Sequence, residues 1–210
     1  MSDIEIDTAR RSFFGTLARK TTDFALRIAD AQVIEQETNW TRPPFALDEL
    51  QFLLACTRCD ACMGACPHGT IILLADRRGL KVAGTPVLDL LNKACHLCAD
   101  WPCVAACEPG ALKLPHQDEG RPPPLPRLAD VRIDTQTCLP YTGPECGACA
   151  SICPVPGALV WKQNKPSIET QHCVGCALCR EVCIVEPKAV LLRSQRKVAT
   201  EKQSLIEVAC

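Results

Sequence analysis

The sequence predicts an α+β protein built from tandem small modules of short strands and short helices, with a cysteine-free helical arm in front. Three observations predict it. Cysteine occurs 17 times in 210 residues, about 8% of the chain, near the density at which bridges or metals take over from a large core. Sixteen of the 17 fall into four groups of four, each embedded in a similar longer unit. Only nine residues are aromatic, three Trp, one Tyr and five Phe, so the largest side chains that normally fill a core are scarce. Something other than bulky side chains fills the interior.

The composition excludes several classes. Charged residues make up 22%, hydrophobic residues 47%, and the net charge is −1. No global charge draws the chain to nucleic acid or to a membrane surface. The longest compact apolar run is Ile71-Ile72-Leu73-Leu74-Ala75, far below the roughly 20 residues of a membrane span. Arg10-Arg11-Ser12-Phe13-Phe14 looks like the start of a twin-arginine signal. The apolar stretch such a signal needs is interrupted by Arg19, Lys20, Asp23, Arg27 and Asp30. The expectation is a cytoplasmic protein whose arginine pair is an uncleaved remnant or a docking signal.

Residues 1–46 carry no cysteine. Phe13, Leu17, Phe24 and Ile28 fall in i, i+4 pairs, consistent with a helix that also bears Arg10, Arg11, Arg19, Lys20 and Arg27. That arm either packs on the body or docks a partner. Arg42-Pro43-Pro44 ends any helix there.

The first cysteine group is Cys56, Cys59, Cys62 and Cys66, followed by Pro67. The second is Cys95, Cys98, Cys103 and Cys107. The third is Cys138, Cys146, Cys149 and Cys153, followed by Pro154. The fourth is Cys173, Cys176, Cys179 and Cys183. Groups one and four have the spacing C-x2-C-x2-C-x3-C, the bacterial ferredoxin run for a [4Fe–4S] cluster. Three thiolates two residues apart can reach three corners of one cubane from a single tight loop. The fourth is expected to begin a helix that turns away, so that it ligates the other cluster of a pair. Pro67 and Pro154 suit the first position of such a helix. Group two widens one gap to x4 around Trp101-Pro102, and group three widens another to x7 with Pro140, Gly143 and Pro144 inside. Both insertions are turn-rich and leave the ligand count intact.

Duller chemistries compete. Disulfides suit small secreted domains, and no secretory signal is legible here. Zinc sites usually join two separated C-x2-C pairs across a long gap. Here four ligands sit within 11 to 16 residues. The expectation is four [4Fe–4S] clusters held by the sixteen cysteines as iron ligands, with zinc as the runner-up. Cys210 reads as a free terminal thiol. His68, His96, His116 and His172 could suggest mixed ligation, but each group already has four thiolates, so local packing is the expected role.

The surrounding unit reads strand, cysteine loop, short helix, turn, strand. An apolar run follows each fourth cysteine, as in Ile71-Ile72-Leu73, Ala111-Leu112, Ala158-Leu159-Val160 and Ala189-Val190-Leu191. Ile133-Asp134-Thr135-Gln136 and Ile168-Glu169-Thr170-Gln171 precede Cys138 and Cys173 at the same offset. Such self-similarity marks a duplicated unit. Pro115 to Arg127, with Arg121-Pro122-Pro123-Pro124-Leu125-Pro126, reads as a stiff spacer. The expected organisation is an arm at 1–46, a module at 47–114 with groups one and two, a linker at 115–129, a module at 130–193 with groups three and four, and a tail at 194–210. Chain order alone leaves a nested pairing open, group one with four and two with three.

No catalytic machinery is legible. There is no P-loop, no G-x-G-x-x-G after a strand and no nucleophile signature. Gly64, Gly69, Gly147 and Gly175 are scattered turn glycines. The radical-SAM cysteine spacing is also absent.

Several segments carry a resemblance: Arg10-Arg11-Ser12-Phe13, Arg42-Pro43-Pro44, Phe52-Leu53-Leu54-Ala55-Cys56-Thr57-Arg58-Cys59-Asp60-Ala61-Cys62, Gly84-Thr85-Pro86 and Pro102-Cys103-Val104-Ala105-Ala106-Cys107. Across roughly residues 9–192 the chain resembles the ferredoxin-type proteins NapF and NapG of periplasmic nitrate reduction and MauM of methylamine utilisation. The arginine pair and first loop look most like NapF, and the widened middle groups look more like NapG and MauM. The resemblance implies tandem bacterial-ferredoxin-like modules and no enzyme activity of the chain's own. It implies a redox-enzyme partner, either a nitrate reductase-like catalytic subunit or a quinol-oxidising membrane partner. The NapG-like role is carrying electrons; the NapF-like alternative is maturing the catalytic subunit of a molybdoenzyme in the cytoplasm.

Overall fold

The computed structural model describes residues 40–75, 81–115 and 122–194. The arm up to residue 39 with its arginine pair, part of the proline-rich linker and the tail with Cys210 lie outside the described residues.

The first half opens with a strap. Thr41 bridges Leu88, Ala46 bridges Leu112, and Pro43 and Pro44 are fully buried between them. Leu47 N–H bonds the Ala111 carbonyl at 3.0 Å, and Lys113 N–H bonds the Phe45 carbonyl at 2.9 Å. Residues 40–46 are therefore part of the folded body, although the Arg-Pro-Pro run reads locally as a mere helix stop. Arg42 holds the strap down. It pairs with Glu49, donates to Thr85 Oγ1 at 2.8 Å and the Pro86 carbonyl at 3.0 Å, and lies 4.6 Å over the Phe52 ring.

Helix α1 (Glu49–Ala55) follows. Its Leu, Gln and Glu residues are strong helix formers, and Glu49 stands in the first turn where the helix end favours an acid. Group one is thus preceded by a helix rather than the strand that the repeat predicts. Phe52 is fully buried, while Leu50 and Leu54 face outward. Strand β1 (Ile71–Leu73) pairs antiparallel with β2 (Pro86–Leu88), Ile72 opposite Val87.

The second half has two antiparallel pairs. β3 (Ala129–Ile133) pairs with β6 (Val190–Ser194), Val131 opposite Leu192. β4 (Leu159–Lys162) and β5 (Lys165–Ile168) form a hairpin with Trp161 opposite Pro166. Gln163 and Asn164 both have positive φ, 50° and 60°, the geometry of a tight type I′ connection.

One apolar core serves both halves. It runs from Phe52, Ile71, Leu88 and Leu112 through Trp101 to Leu128, Ala129, Val174 and Leu178. Of its members only Phe52 and Trp101 are aromatic, and Phe45 meets Trp101 edge to face at 4.8 Å. Further ties join the halves: Thr41 Oγ1 to Ser194 Oγ at 3.3 Å, Ser194 Oγ to the Trp40 carbonyl at 2.6 Å, and Arg180 Nε to the Leu91 carbonyl at 3.2 Å. Among the described residues no helix is long and apolar enough to cross a membrane.

Removing the Arg42 side chain leaves the partly buried Glu49 carboxylate without its partner and frees the strap. Breaking such a pair costs about 3–5 kcal/mol. Arg42→Ala is expected to lower the thermal midpoint by roughly 6–20 °C, taking about 2–4 °C per kcal/mol for a chain of this size. Arg42→Lys is expected to recover only part of it, because one ammonium cannot replace the planar fork. Differential scanning calorimetry of the three proteins checks both.

Candidate metal centres

The cysteine loops of groups one, two and four are bent by backbone in the left-handed region. In group one Arg58 and Asp60 have φ of 57° and 60°. In group two Leu97 and Trp101 have 51° and 45°. In group four Gly175 and Ala177 have 76° and 69°. The first of each pair directly precedes the second cysteine. The other starts a short helix: Asp60 caps α2 (Ala61–Gly64), Trp101 caps α3 (Pro102–Ala105) and Ala177 caps α5 (Leu178–Glu181). These two reversals fold the loop back so that its thiols face one side. Only one of the six is glycine, and the conformation is costly for the rest.

This placement corrects the expected position of the helix. It lies between the third and fourth cysteines, carrying Cys62, Cys103 or Cys179, and the fourth cysteine follows its end. Pro67 and Pro154 stand beyond that end in non-helical backbone. The reason is local: the left-handed residue starts the helix early, and a proline cannot supply the N–H to continue it. Group three departs from the pattern. Its wide insertion holds a helical turn, α4 (Leu139–Thr142), closed by Gly143 at φ 134°. Tyr141 anchors it by donating to the Pro166 carbonyl at 2.9 Å.

The helices sort the sixteen thiols into four quartets that are not the four sequence groups. Cys56, Cys59 and Cys62 line one cavity with Cys107 of group two. Cys66 instead joins Cys95, Cys98 and Cys103: the Cys103 thiol feels Cys95, Cys66 and Cys98. Cys138, Cys146 and Cys149 line a cavity with Cys183. Cys173, Cys176 and Cys179 line another with Cys153. Each fourth cysteine crosses to the neighbouring group's site, groups one and two exchanging, and groups three and four exchanging. The nested pairing is not the one adopted.

The quartets also have a spatial order. Cys62 lies in the short helix α2 and Cys66 two residues past its end, so this one turn joins the first and second quartets. The Cys95 N–H donates to the Cys176 carbonyl at 2.9 Å, so the second and fourth quartets abut across the two halves. The Cys179 thiol feels Cys149, which sets the fourth beside the third. The order is one, two, four, three.

The thiols are electrostatically uncomfortable as they stand. Burial, then the neighbouring Cys95, Cys66 and Cys98, push Cys103 up to about 12. Burial, then Cys176 and Cys173, push Cys179 up to about 12. Cys62 rises to about 11 through burial and then Cys107 and Cys56. Four thiolates in such a site need positive charge among them. Cys66 goes the other way. Burial raises it, but backbone N–H groups of Thr70, His68, Ile71 and Gly69 together outweigh burial and hold it below its ordinary value. Leu112 N–H likewise donates to Cys107 Sγ at 3.3 Å.

The donor set fits iron–sulfur clusters. All sixteen cysteines of the groups are free thiols, none in a disulfide. Among the described residues no three His, Cys, Asp or Glu side chains converge as they would on a single ion. The thiols are instead spread around voids, which suits a polynuclear occupant better than a lone zinc. One further residue points the same way. Trp161 lines the third quartet's cavity, and its indole N–H is buried without a partner. Sequence reasoning passed over it; its only signal was a tryptophan directly after the apolar run that follows group three. The histidines pack: His68 and His96 stack at 3.5 Å with ring planes 5° apart, beside Cys66 and Cys95. Burial and His68 hold His96 below its ordinary value against the pull of Glu181, whose carboxylate lies 3.8 Å away.

Comparison with known proteins matches the sequence to a family. No family model matches the chain, and no solved structure does. Curated proteins do. The chain is 34% identical over 162 residues to the methylamine utilization ferredoxin-type protein MauM of Paracoccus denitrificans, covering 71% of this chain and 69% of the relative. It is 30% identical over 204 residues to the ferredoxin-type protein NapG of Haemophilus influenzae, covering 88% and 71%. It is 32% identical over 154 residues to the ferredoxin-type protein NapF of Escherichia coli, covering 70% and 82%.

The chain belongs to this ferredoxin-type family. It spans 66–71% of the length of the first MauM and NapG relatives. Family membership makes it an iron–sulfur electron carrier rather than an enzyme.

Two glycines of the cysteine groups separate space from helicity. A Cβ on Gly175 would meet the Ala129 backbone, 2.1 Å from O and 2.3 Å from N, at a φ of 76°. Gly64 has nothing within 4 Å. Gly175→Ala is expected to push the 173–176 loop off β3, lowering iron content and thermal midpoint together. Gly64→Ala is expected to keep the iron and gain about 0.5–1 kcal/mol in its helix. Iron analysis and calorimetry of both variants check this.

Proposed function

We propose that the chain is a four-cluster electron carrier. Each quartet holds one [4Fe–4S] cluster: Cys56, Cys59, Cys62 and Cys107; Cys66, Cys95, Cys98 and Cys103; Cys138, Cys146, Cys149 and Cys183; Cys153, Cys173, Cys176 and Cys179. The observation that carries the reading is the exchange of each fourth cysteine between neighbouring groups. It is the arrangement expected where two cubanes share one small fold. When bound, such clusters supply one-electron chemistry at a potential that the protein sets.

The chain's own residues do the rest. Desolvated sulfurs fix where the clusters sit. The short helices α2, α3 and α5 fix the spacing within each half. Backbone N–H groups around Cys66 and Cys107 stabilise negative charge on sulfur, which favours reduction of the site they face. The partner is proposed to be a redox enzyme; a catalytic subunit of the nitrate reductase type or a quinol-oxidising membrane protein is what the resemblance read from the sequence implies.

Anaerobically purified protein is expected to contain roughly 16 iron and 16 sulfide atoms, four cubanes' worth, and to show paramagnetic signals after dithionite. Stripping the iron with a chelator is expected to unfold the chain, since cluster binding and folding are coupled. The exchange of ligands is tested by pairs of substitutions. Cys66→Ser with Cys103→Ser removes two ligands of one proposed site and is expected to lose about four iron atoms, no more than either alone. Cys66→Ser with Cys62→Ser strikes two sites and is expected to lose about eight. Colourless, zinc-loaded protein that folds without iron overturns the reading. Binding only to the immature form of a partner, without electron exchange, transfers it to a maturation role.

A further inference from the structure

We propose that the indole N–H of Trp161 is a hydrogen-bond donor to the cluster held by the third quartet, and that it raises that site's reduction potential. This rests on the cluster reading above. Trp161 Nε1 is buried and is the side-chain polar atom left without a partner among the described residues. A buried donor without an acceptor costs free energy, so native structures seldom keep one unless something absent satisfies it.

The surroundings say what that something is. Trp161 lines the cavity enclosed by Cys138, Cys146, Cys149 and Cys183. Every other lining side chain there is aliphatic or proline. The acceptors that an occupant would bring are sulfurs, and a tryptophan can only donate. The ring is held in place by the β4–β5 hairpin, opposite Pro166, which has no N–H to compete. The proline's carbonyl is already taken by Tyr141 Oη at 2.9 Å.

The fourth quartet, next to it in the row, has no such side chain: its cavity is lined by cysteines and aliphatic residues, and the N–H groups that reach Cys173 and Cys176 are main-chain ones, from Gly175 and Leu178. The first has Arg58 nearby, but its guanidinium donates to the Ala83 and Lys81 carbonyls, both at 2.9 Å. Donation to sulfur is stronger when the cluster carries an extra negative charge. It therefore favours the reduced form and raises the potential. Trp161 is a positioning and tuning residue; it transfers nothing.

Trp161→Phe removes the donor and keeps an aromatic ring. With iron and sulfide unchanged, one of the reduced-state signals in a dithionite titration is expected to shift about tenfold toward the oxidised form, or about 59 mV for a one-electron couple. The other signals stay where they were. An unshifted titration with full iron overturns the inference while leaving the cluster reading intact. Absence of clusters from the unaltered protein overturns the cluster reading first. If the variant fails to hold iron, the unaltered protein labelled with 15N at tryptophan decides. Electron–nuclear double resonance is expected to show an indole N–H coupled to a reduced cluster, and its absence rejects the proposal.

Discussion

The structure depends on one constraint: negative sulfur must be kept dry without being left alone. Six of the sixteen thiols are pushed up to about 11 or 12, by burial first and in most of them also by neighbouring sulfurs. A chain with so few aromatic side chains cannot fill those voids with carbon. A positively charged occupant at the centre of each quartet would resolve both deficits at once, because it would stabilise the thiolates and occupy the space. The apolar core can then be thin, and it is: Phe52 and Trp101 are its large members.

Exchange of the fourth cysteine converts that local need into architecture. If each group served only itself, four loops could drift on four tethers. Because Cys66 and Cys107 cross in one direction and the other, the loops of the first half cannot separate without opening two sites. Cys153 and Cys183 do the same in the second half. The two halves then meet where the Cys95 N–H reaches the Cys176 carbonyl, which places a main-chain contact, not a flexible side chain, between the second and fourth quartets. A run of sites in the order one, two, four, three follows from covalent spacing and one peptide contact.

The sixteen cysteines and their grouping were legible in the sequence, because C-x2-C-x2-C-x3-C has no common structural substitute. The α+β character followed from the repeated apolar runs, and β1, β3, β4, β5 and β6 all fall on or beside them. The position of the short helices was not legible. They are started by Asp60, Trp101 and Ala177 in a left-handed conformation that residue type does not announce. The strap at 40–46 was also hidden. Two prolines read as a stop when only neighbours in sequence are considered, whereas here they are buried between β2 and residues 111–113. Which groups exchange was beyond reach, since spacing fixes what one loop can do and says nothing about the loop it meets. Trp161 was missed for a related reason: a lone tryptophan in a four-residue strand has no meaning until the cavity beside it is known.

Spacing and potential are set by different parts of this fold. The helical turns and the Cys95–Cys176 contact determine how far apart the sites stand, and they are built from main chain and cysteine. What surrounds each sulfur varies independently. Cys66 gathers four backbone N–H groups, Cys107 takes one from Leu112, the third cavity holds an indole, and the fourth is lined by aliphatic carbon. A substitution in the lining can therefore change how readily one proposed site accepts an electron without moving it relative to the next. That separation lets a duplicated unit, with four similar ligand sets, become four unequal sites. In the proposed carrier, inequality along a fixed row would give electron flow a preferred direction, and it would reside in the residues between the cysteines.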